Sequence, residues 1–516
     1  MSSHTEVNGH SEAEETQLNR AGEVEDLIDA VKSLVVPFIK NADDAAPSRA
    51  SGYIAADSQG APGRNVLVDY HKPEDLVKKL NISMPKDGAG REGLLDIVQT
   101  ILRYSVNTWD QGFLDKLYSS ISPVGVASEL VLTVLNTNVH IFKTSPALTI
   151  IEKTVAKRLA NLFGFTGPRA GGITCQGGSA SNLTSLVIAR NTLFPETKTA
   201  GSAGHRFALF TSEHGHYSVE KAAVACGMGS DSVVKVAVDS AGRMVPAALR
   251  DAIRRAKDEG KTPLYVNATA GTTVWGSYDP FAEIAAVCKE TGLWLHVDGS
   301  WGGPAVFSAA QRHKLAGAEH ADSLTVNPHK MLNVPVPCSF LLTNDVSVFQ
   351  RANTLRAGYL FHDPGSEDDE IWDLADLTLQ CGRRGDALNL ALAWIYYGEA
   401  GLARRVDGAF ATAAYLATLV QESGDFFLLS SSPPPCLQVC FYYTPGGGVL
   451  PDDAEENTRR TREMVARLVP RGFMIDYAPG ERGSLFRVVV NCQTLRGTVE
   501  GLVRALREVG REVVAL

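Results

Sequence analysis

Six short, largely apolar runs punctuate the middle of the chain: Phe207–Phe210, Val233–Val238, Leu264–Val266, Leu293–Val297, Leu324–Val326 and Phe340–Leu342. Helical patterns separate several of them, including Phe281–Glu290. A strand with no polar face must be buried on both sides. Such strands alternating with helices therefore predict βαβ units and a mostly parallel sheet covered on both faces. Sheets of this kind bind ligands beyond the carboxyl ends of their strands. The residues that follow each run are the candidate ligand positions.

Two of those residues suit one cofactor. Asp298 directly follows the run Leu293–Val297, and Lys330 closes Asn327-Pro328-His329-Lys330 just after Leu324–Val326. An ionised carboxylate at the end of a buried strand is costly without a partner. A lysine partly withdrawn from water has a lowered pKa and attacks carbonyls more readily. Pyridoxal 5'-phosphate (PLP) needs both groups, an amine for its aldehyde and a carboxylate for its ring nitrogen.

Other motifs are weaker one by one. Gly177-Gly178-Ser179-Ala180-Ser181-Asn182 precedes the helical run Leu183–Asn191. Small residues, free N–H groups and the helix dipole would favour a phosphate there, although the same residues also serve as a plain N-cap. Their order is not GxGxxG, which counts against a dinucleotide fold. The loop Ser212–Ser218 carries His214 and His216; an imidazole in it could stack on a flat ring. Two histidines without a third ligand make a poor metal site, so no metal is expected. Gly271-Thr272-Thr273 sets hydroxyls beyond another strand.

Taken together, in this order and spacing, the motifs resemble those of the PLP-dependent group II amino-acid decarboxylases. The glutamate, cysteine sulfinate and aspartate decarboxylase branch is the most similar. Asn267–Thr273, His296-Val297-Asp298, Ala357-Gly358-Tyr359-Leu360-Phe361 and Gln380-Cys381-Gly382-Arg383 carry the likeness along with the motifs above. It runs from about residue 100 to the C-terminus; the first hundred residues are only loosely similar. The resemblance implies an α/β protein of PLP fold-type I, the transferase-like fold. Its parts would be a large, mostly parallel-sheet domain, an N-terminal helical arm and a smaller C-terminal α+β domain. It also implies a homodimer with shared active sites.

The resemblance assigns roles residue by residue. Lys330 would join the cofactor aldehyde, Asp298 would pair with the ring nitrogen, and His216 would stack on the ring. Ser179, Ala180, Asn327 and His329 would hold the phosphate, and Thr273 would contact the cofactor. Arg487 would bind the substrate α-carboxylate, and Tyr359, on a mobile loop from the partner subunit, would protonate Cα.

Departures from the family pattern bear on the substrate. Gly299 and Ser300 replace the usual two alanines after His-Val-Asp, and a glycine there would leave the ring looser. Lys116 and Tyr118 stand where glutamate decarboxylases carry glutamine and serine, and His140 replaces an aromatic residue just beyond Asn138. Tyr118 would shorten the pocket, while Lys116 and His140 are candidate donors for a side-chain carboxylate. These residues favour a small acidic amino acid, leaning to L-aspartate with β-alanine as product. Glutamate (giving 4-aminobutyrate) and cysteine sulfinate (giving hypotaurine) are alternatives. So are an aromatic amino-acid decarboxylase, an aldehyde synthase and a catalytically silent PLP-binding protein.

The remaining features set bounds. A net charge of -9 over 516 residues, with no basic block, gives no support to nucleic-acid binding. No apolar run reaches the roughly 18–20 residues of a membrane helix. The N-terminus turns acidic by Glu12, Glu14 and Glu15 and lacks a signal-peptide pattern, so a cytoplasmic location is expected. The eight cysteines are scattered without a CxxC pair, as expected for reduced thiols. The expected organisation is a disordered tail at 1–20, a helical dimerisation arm at 21–130, a PLP-binding domain at 131–388 and a small domain at 389–516.

Overall fold

The computed structural model describes residues 19–53, 65–355, 370–444, 446 and 449–515. Two sheets organise them. The larger has seven strands: β2 (Gly171–Cys175), β3 (Phe207–Ser212), β4 (Val233–Val236), β5 (Thr262–Thr269), β6 (Trp294–Gly299), β7 (Ser323–Val326) and β8 (Ser339–Thr343). Their spatial order is β2-β8-β7-β6-β5-β3-β4. β4, β3, β5, β6 and β7 run parallel, whereas β8 is antiparallel to both β7 and β2.

Each of the six apolar runs overlaps one of these strands, and the burial explains why. Ala208 and Phe210 of β3 enter one hydrophobic cluster, with residues of the helices Pro246–Asp258 and Phe281–Thr291. Their neighbours Phe207 and Leu209 enter a second cluster, with the helices Gly178–Leu193 and Ser218–Ala225. Alternate side chains of a strand point to opposite faces, so both faces are apolar because both are covered. β2 escapes sequence pattern because Gly171-Gly172 reads as a loop. A Cβ at Gly172 would stand 2.1 Å from the Leu341 carbonyl oxygen, so the glycine lets β2 lie against β8.

The second sheet has five strands in the order β1-β11-β12-β10-β9. They are β1 (Phe113–Leu114), β9 (Phe426–Leu428), β10 (Gln438–Tyr443), β11 (Met474–Ala478) and β12 (Leu485–Val489). β1 comes from the N-terminal part of the chain and pairs in parallel with β11. The helix Arg20–Ser51 is fixed to the same region by Arg49, whose guanidinium forms two 2.7 Å hydrogen bonds with the buried Asp110 carboxylate. The segment after β1, Asp115–Tyr118, is thereby delivered beside β11 and β12. A long helical element, Ala387–Glu422, is broken at Gly398. The φ of 66° there suits glycine, which pays no Cβ penalty in the left-handed region. Among the described residues no helix is long and apolar enough to cross a membrane.

Candidate active site

The site forms where β6 and β7 end side by side. Asp298 lies in β6, in register with Thr325 of β7, and Lys330 sits in the turn beyond β7. The Asp298 carboxylate is 5% exposed. Its Oδ1 accepts the Ser300 N–H at 3.0 Å and its Oδ2 accepts from Asn182 Nδ2 at 2.9 Å. Burial by itself would raise its pKa. The hydrogen bonds from Ser300 and Asn182, with the Lys330 charge, outweigh burial and hold it below the ordinary value. Burial acts the other way on Lys330, lowering its pKa despite the opposing charge of Asp298. The sequence-derived pair is therefore an ionised carboxylate facing an amine that gives up its proton more easily.

A relay behind Asp298 holds its orientation. Trp294 Nε1 donates to Ser323 Oγ at 2.9 Å, and Ser323 Oγ lies 2.9 Å from His296 Nδ1. His296 Nε2 lies 3.1 Å from Asn182 Oδ1. Asn182 Nδ2 donates to Ser218 Oγ at 2.8 Å as well as to Asp298. Burial drives the His296 pKa down to about 4, so its ring is neutral near pH 7. With the amide nitrogen committed to Asp298, the direction is set: Ser323 donates to Nδ1, and Nε2–H donates to Asn182 Oδ1. Asn182 and His296 fall inside motifs visible in the sequence, yet their spacing of 114 residues gives no sign that they meet.

The first turn of the helix Gly178–Leu193 supplies an anion cradle. Gly177 has φ 91°, and a Cβ on Gly178 would stand 2.4 Å from Ser300 Oγ and 2.9 Å from the Asn327 amide. Only glycine permits that approach. Ser179 is exposed at this terminus and Ala180 is partly buried. Asn327 is hydrogen-bonded to Ser339 Oγ at 2.6 Å, and Ser339 Oγ lies 2.9 Å from Ser181 Oγ. His329 Nδ1 donates to the Cys338 carbonyl at 2.7 Å, and burial lowers its pKa to about 4. His216 accepts the Ser218 N–H at 3.2 Å, and burial lowers its pKa too, with Asp298 and Lys330 both close enough to act on it. The structure thus brings Asp298, Lys330, His216, Asn327 and the helix terminus together.

Three buried polar atoms around this cluster have no partner: Ser300 Oγ, Thr269 Oγ1 and Asn267 Nδ2. Thr269 is in register with Asp298, and Asn267 with His296. An unpaired buried donor or acceptor costs about 1–3 kcal/mol, so a concentration of them points to a polar ligand. A carboxylate, a partly buried amine, a glycine cradle and free hydroxyls fit PLP. No group of three or more acidic, histidine or cysteine side chains suited to a metal occurs among the described residues.

A Cβ at Gly299 would meet the Thr325 carbonyl oxygen at 2.8 Å and Gly303 at 3.3 Å, so neighbouring backbone approaches this glycine closely. Ser300 is the residue of the pair that faces the cradle.

Arg487 and Lys116, expected to meet the substrate, lie on or beside the second sheet. Arg487 in β12 is 7% exposed. Its Nη1 donates to the Thr273 carbonyl at 3.2 Å, linking it to the loop after β5. Its Nη2 donates to Asp476 Oδ2 at 2.6 Å and to the Asp115 carbonyl at 3.2 Å, while Nε has no partner. Lys116, expected as an open donor for substrate, is already engaged. Its Nζ stands 3.0 Å from Asp476 Oδ2 and 3.1 Å from Asp115 Oδ1. Tyr118 is 46% exposed and its ring lies 6.0 Å from that of Phe113.

Asn138 and His140 form a different group. The Asn138 side chain lies against Gly382, and the His140 carbonyl accepts the Ala375 N–H at 3.0 Å. His140 Nδ1 lies 3.1 Å from the Asn138 carbonyl in its own loop. Tyr359 and the Ala357–Phe361 motif lie outside the described residues. Sequence reasoning missed Asn182, His296, Ser300 and Asp476. A groove of about 1700 Å³ lined by Leu34, Phe38, Tyr70, Arg462 and Tyr477 contains none of the candidate residues.

Comparison with known proteins agrees with this chemistry. Residues 73–444 match the model of the pyridoxal-dependent decarboxylase conserved domain. The chain is 58% identical over 498 residues to an L-aspartate decarboxylase, dtxS4, of Metarhizium robertsii, covering 96% of this chain and 99% of that protein. It is 40% identical to a glutamate decarboxylase-like protein of Gibberella zeae, covering 88% and 94%. The crystal structure of mouse CSAD in apo form superposes with a TM-score of 0.84 at 34% identity, covering 95% and 99%.

Proposed function

The chain belongs to the pyridoxal-dependent decarboxylase family, and from that premise we propose that it removes the α-carboxyl group of L-aspartate to give β-alanine and CO₂. The observation that supports this substrate is the pair of cations, Arg487 and Lys116, that share one carboxylate oxygen of Asp476, with Arg487 also bonded to the loop after β5. The 58% identity to an L-aspartate decarboxylase supports the same acid.

When bound, PLP supplies an aldehyde for the substrate amine and a ring that accepts the electrons left as CO₂ departs. The chain's own residues do the rest. The first turn of the helix Gly178–Leu193, with Ser179 and Ala180, would hold the phosphate through free N–H groups, joined by Asn327, His329 and the unpaired Ser300 hydroxyl. Asp298, kept ionised by Asn182 and the Ser300 N–H, would hold a proton on the ring nitrogen. His216, neutral and partly buried, would lie over the ring, and Thr273 would flank it. Lys330, with its lowered pKa, would join the aldehyde and pass protons to and from the amine. Arg487 would fix the α-carboxylate so that the breaking C–C bond stands perpendicular to the ring. Tyr359 would deliver the proton to Cα.

We also infer a cytoplasmic homodimer. The helix Pro123–Leu135 exposes Val126, Leu130, Val131, Val134 and Leu135, spaced as one apolar helical face that a second copy could cover. The test of the function is CO₂ release from L-aspartate, L-glutamate and L-cysteine sulfinate, with each amine product identified. L-Aspartate is expected to have the highest kcat/KM, and Lys330→Ala to abolish turnover. A higher value for either longer acid would remove the aspartate assignment. Release of CO₂ by the lysine variant without added amine would remove the role of Lys330.

A further inference from the structure

A row of charges crosses the smaller sheet. Asp476 of β11 is directly opposite Arg487 of β12 in an antiparallel pair, so the two side chains share a face. β1 pairs with β11 through Phe113↔Met474 and Leu114↔Ile475, which brings the following residues, Asp115 and Lys116, to the same edge. One oxygen, Asp476 Oδ2, receives both cations, Arg487 Nη2 at 2.6 Å and Lys116 Nζ at 3.0 Å. The two nitrogens therefore lie within about 6 Å of each other, since each is within hydrogen-bond reach of the same atom.

Exposure grades along this row. The side chains of Arg487, Asp476 and Lys116 are 8%, 25% and 45% exposed. Arg487 is the inner end, tied to Thr273, and its Nε is a buried donor without a partner. Lys116 is the outer end. An acid entering along the row would set its α-carboxylate on the inner cation and its side-chain carboxylate on the outer one. The carboxyl carbons of aspartate are about 3–4 Å apart, and one more methylene puts those of glutamate at about 5 Å. Cations tied to one oxygen suit the shorter spacing. A free lysine stem, with its many rotamers, would serve either acid.

We propose that Asp476 is a positioning residue that determines specificity: by bridging Arg487 and Lys116 it sets the span between the cations that receive a four-carbon dicarboxylate. This rests on the aspartate reading above. Asp476 touches neither substrate nor cofactor in this role; it acts through the two cations. Lys116 is the partner that senses the side chain of the acid.

The test uses holoenzyme with L-aspartate and L-glutamate, comparing wild type, Asp476→Asn, Lys116→Met and the double variant. Asp476→Asn is expected to lower the aspartate-to-glutamate ratio of kcat/KM by about tenfold or more, chiefly through KM for aspartate, with the ~420 nm cofactor band unchanged. Lys116→Met is expected to lower the ratio to a similar extent. The double variant should fall no further than Lys116→Met, because the bridge acts through the lysine. A ratio that stays at the wild-type value in Lys116→Met overturns the proposal even where Asp476→Asn fails to fold. Additive losses in the double variant also overturn it. If wild type favours glutamate, the aspartate reading fails and takes the proposal with it. If wild type favours aspartate and the ratio does not move in the variants, only the bridge fails.

Discussion

Replacing Asn182 by alanine isolates the relay that keeps Asp298 ionised. Asn182 Nδ2 donates one of the two hydrogen bonds received by the buried carboxylate, at 2.9 Å. The other comes from the Ser300 backbone and would survive. A hydrogen bond to a charged group contributes about 1.5–3 kcal/mol, and one pKa unit is about 1.4 kcal/mol. The Asp298 pKa should therefore rise in Asn182→Ala. Its native value is depressed, so the ionised form is favoured above the unfolded pKa and lost as pH falls. The variant moves that loss to higher pH. The acid limb of kcat/KM should shift upward by about 1–2 units, with the alkaline limb in place. The assay is a pH–rate profile on holoenzyme, with cofactor occupancy checked at ~420 nm at each pH. An acid limb within about 0.3 units of wild type, at equal occupancy, would refute the relay as the source of the Asp298 ionisation.

Ser300→Ala should act in opposite directions on the two forms of the protein: removing an unpaired buried hydroxyl should leave the apo-protein as stable or more so, while cofactor affinity falls about fivefold, from a lost hydrogen bond of about 1 kcal/mol. Thermal melting and a spectral titration with PLP read the two effects, and unchanged affinity would exclude the contact. Asp386 has its pKa raised to about 7, mainly by burial, with Arg384 opposing and Glu129 and Glu152 adding to the rise. The native state then holds a proton that the unfolded chain has released, so this group's stabilisation is present below about pH 4 and lost as pH rises to about 7. Asp386→Asn should gain relative to wild type by up to about 1.4 kcal/mol per pH unit across that window, and urea midpoints that differ equally at both ends would contradict it. Arg49→Met leaves the Asp110 carboxylate buried without its partner and should cost about 3–5 kcal/mol in urea unfolding; a loss below about 1 kcal/mol would show the pair to be dispensable.

The parallel sheet was legible because its cause is local. A strand buried on both faces has to be apolar along its whole length, so β3, β5, β6, β7 and β8 announce themselves in consecutive residues, and Asp298 and Lys330 follow from where those runs stop. β2 broke the pattern, since its Gly172 answers to the Leu341 carbonyl on another strand. Gly299 is crowded in the same way, by the Thr325 carbonyl of a neighbouring strand. The motifs also fixed the cofactor, because the carboxylate, the amine and the small-residue turn each sit at a strand end or helix start that the local pattern marks.

Local pattern holds no register between distant segments. Asn182 meets His296 across 114 residues, and Lys116 meets Asp476 across 360. Lys116 looked like an open donor because its acidic partner lies on a strand that the sequence did not reveal, joined through a two-residue strand, β1, too short to show any periodicity. From the sequence alone came the fold class, the cofactor and the paired Asp298 and Lys330. The tertiary structure alone decided which side chains hold Asp298 ionised and which carboxylate ties the two cations together. Both depend on sheet register, and register is set by how buried faces pack rather than by neighbours along the chain.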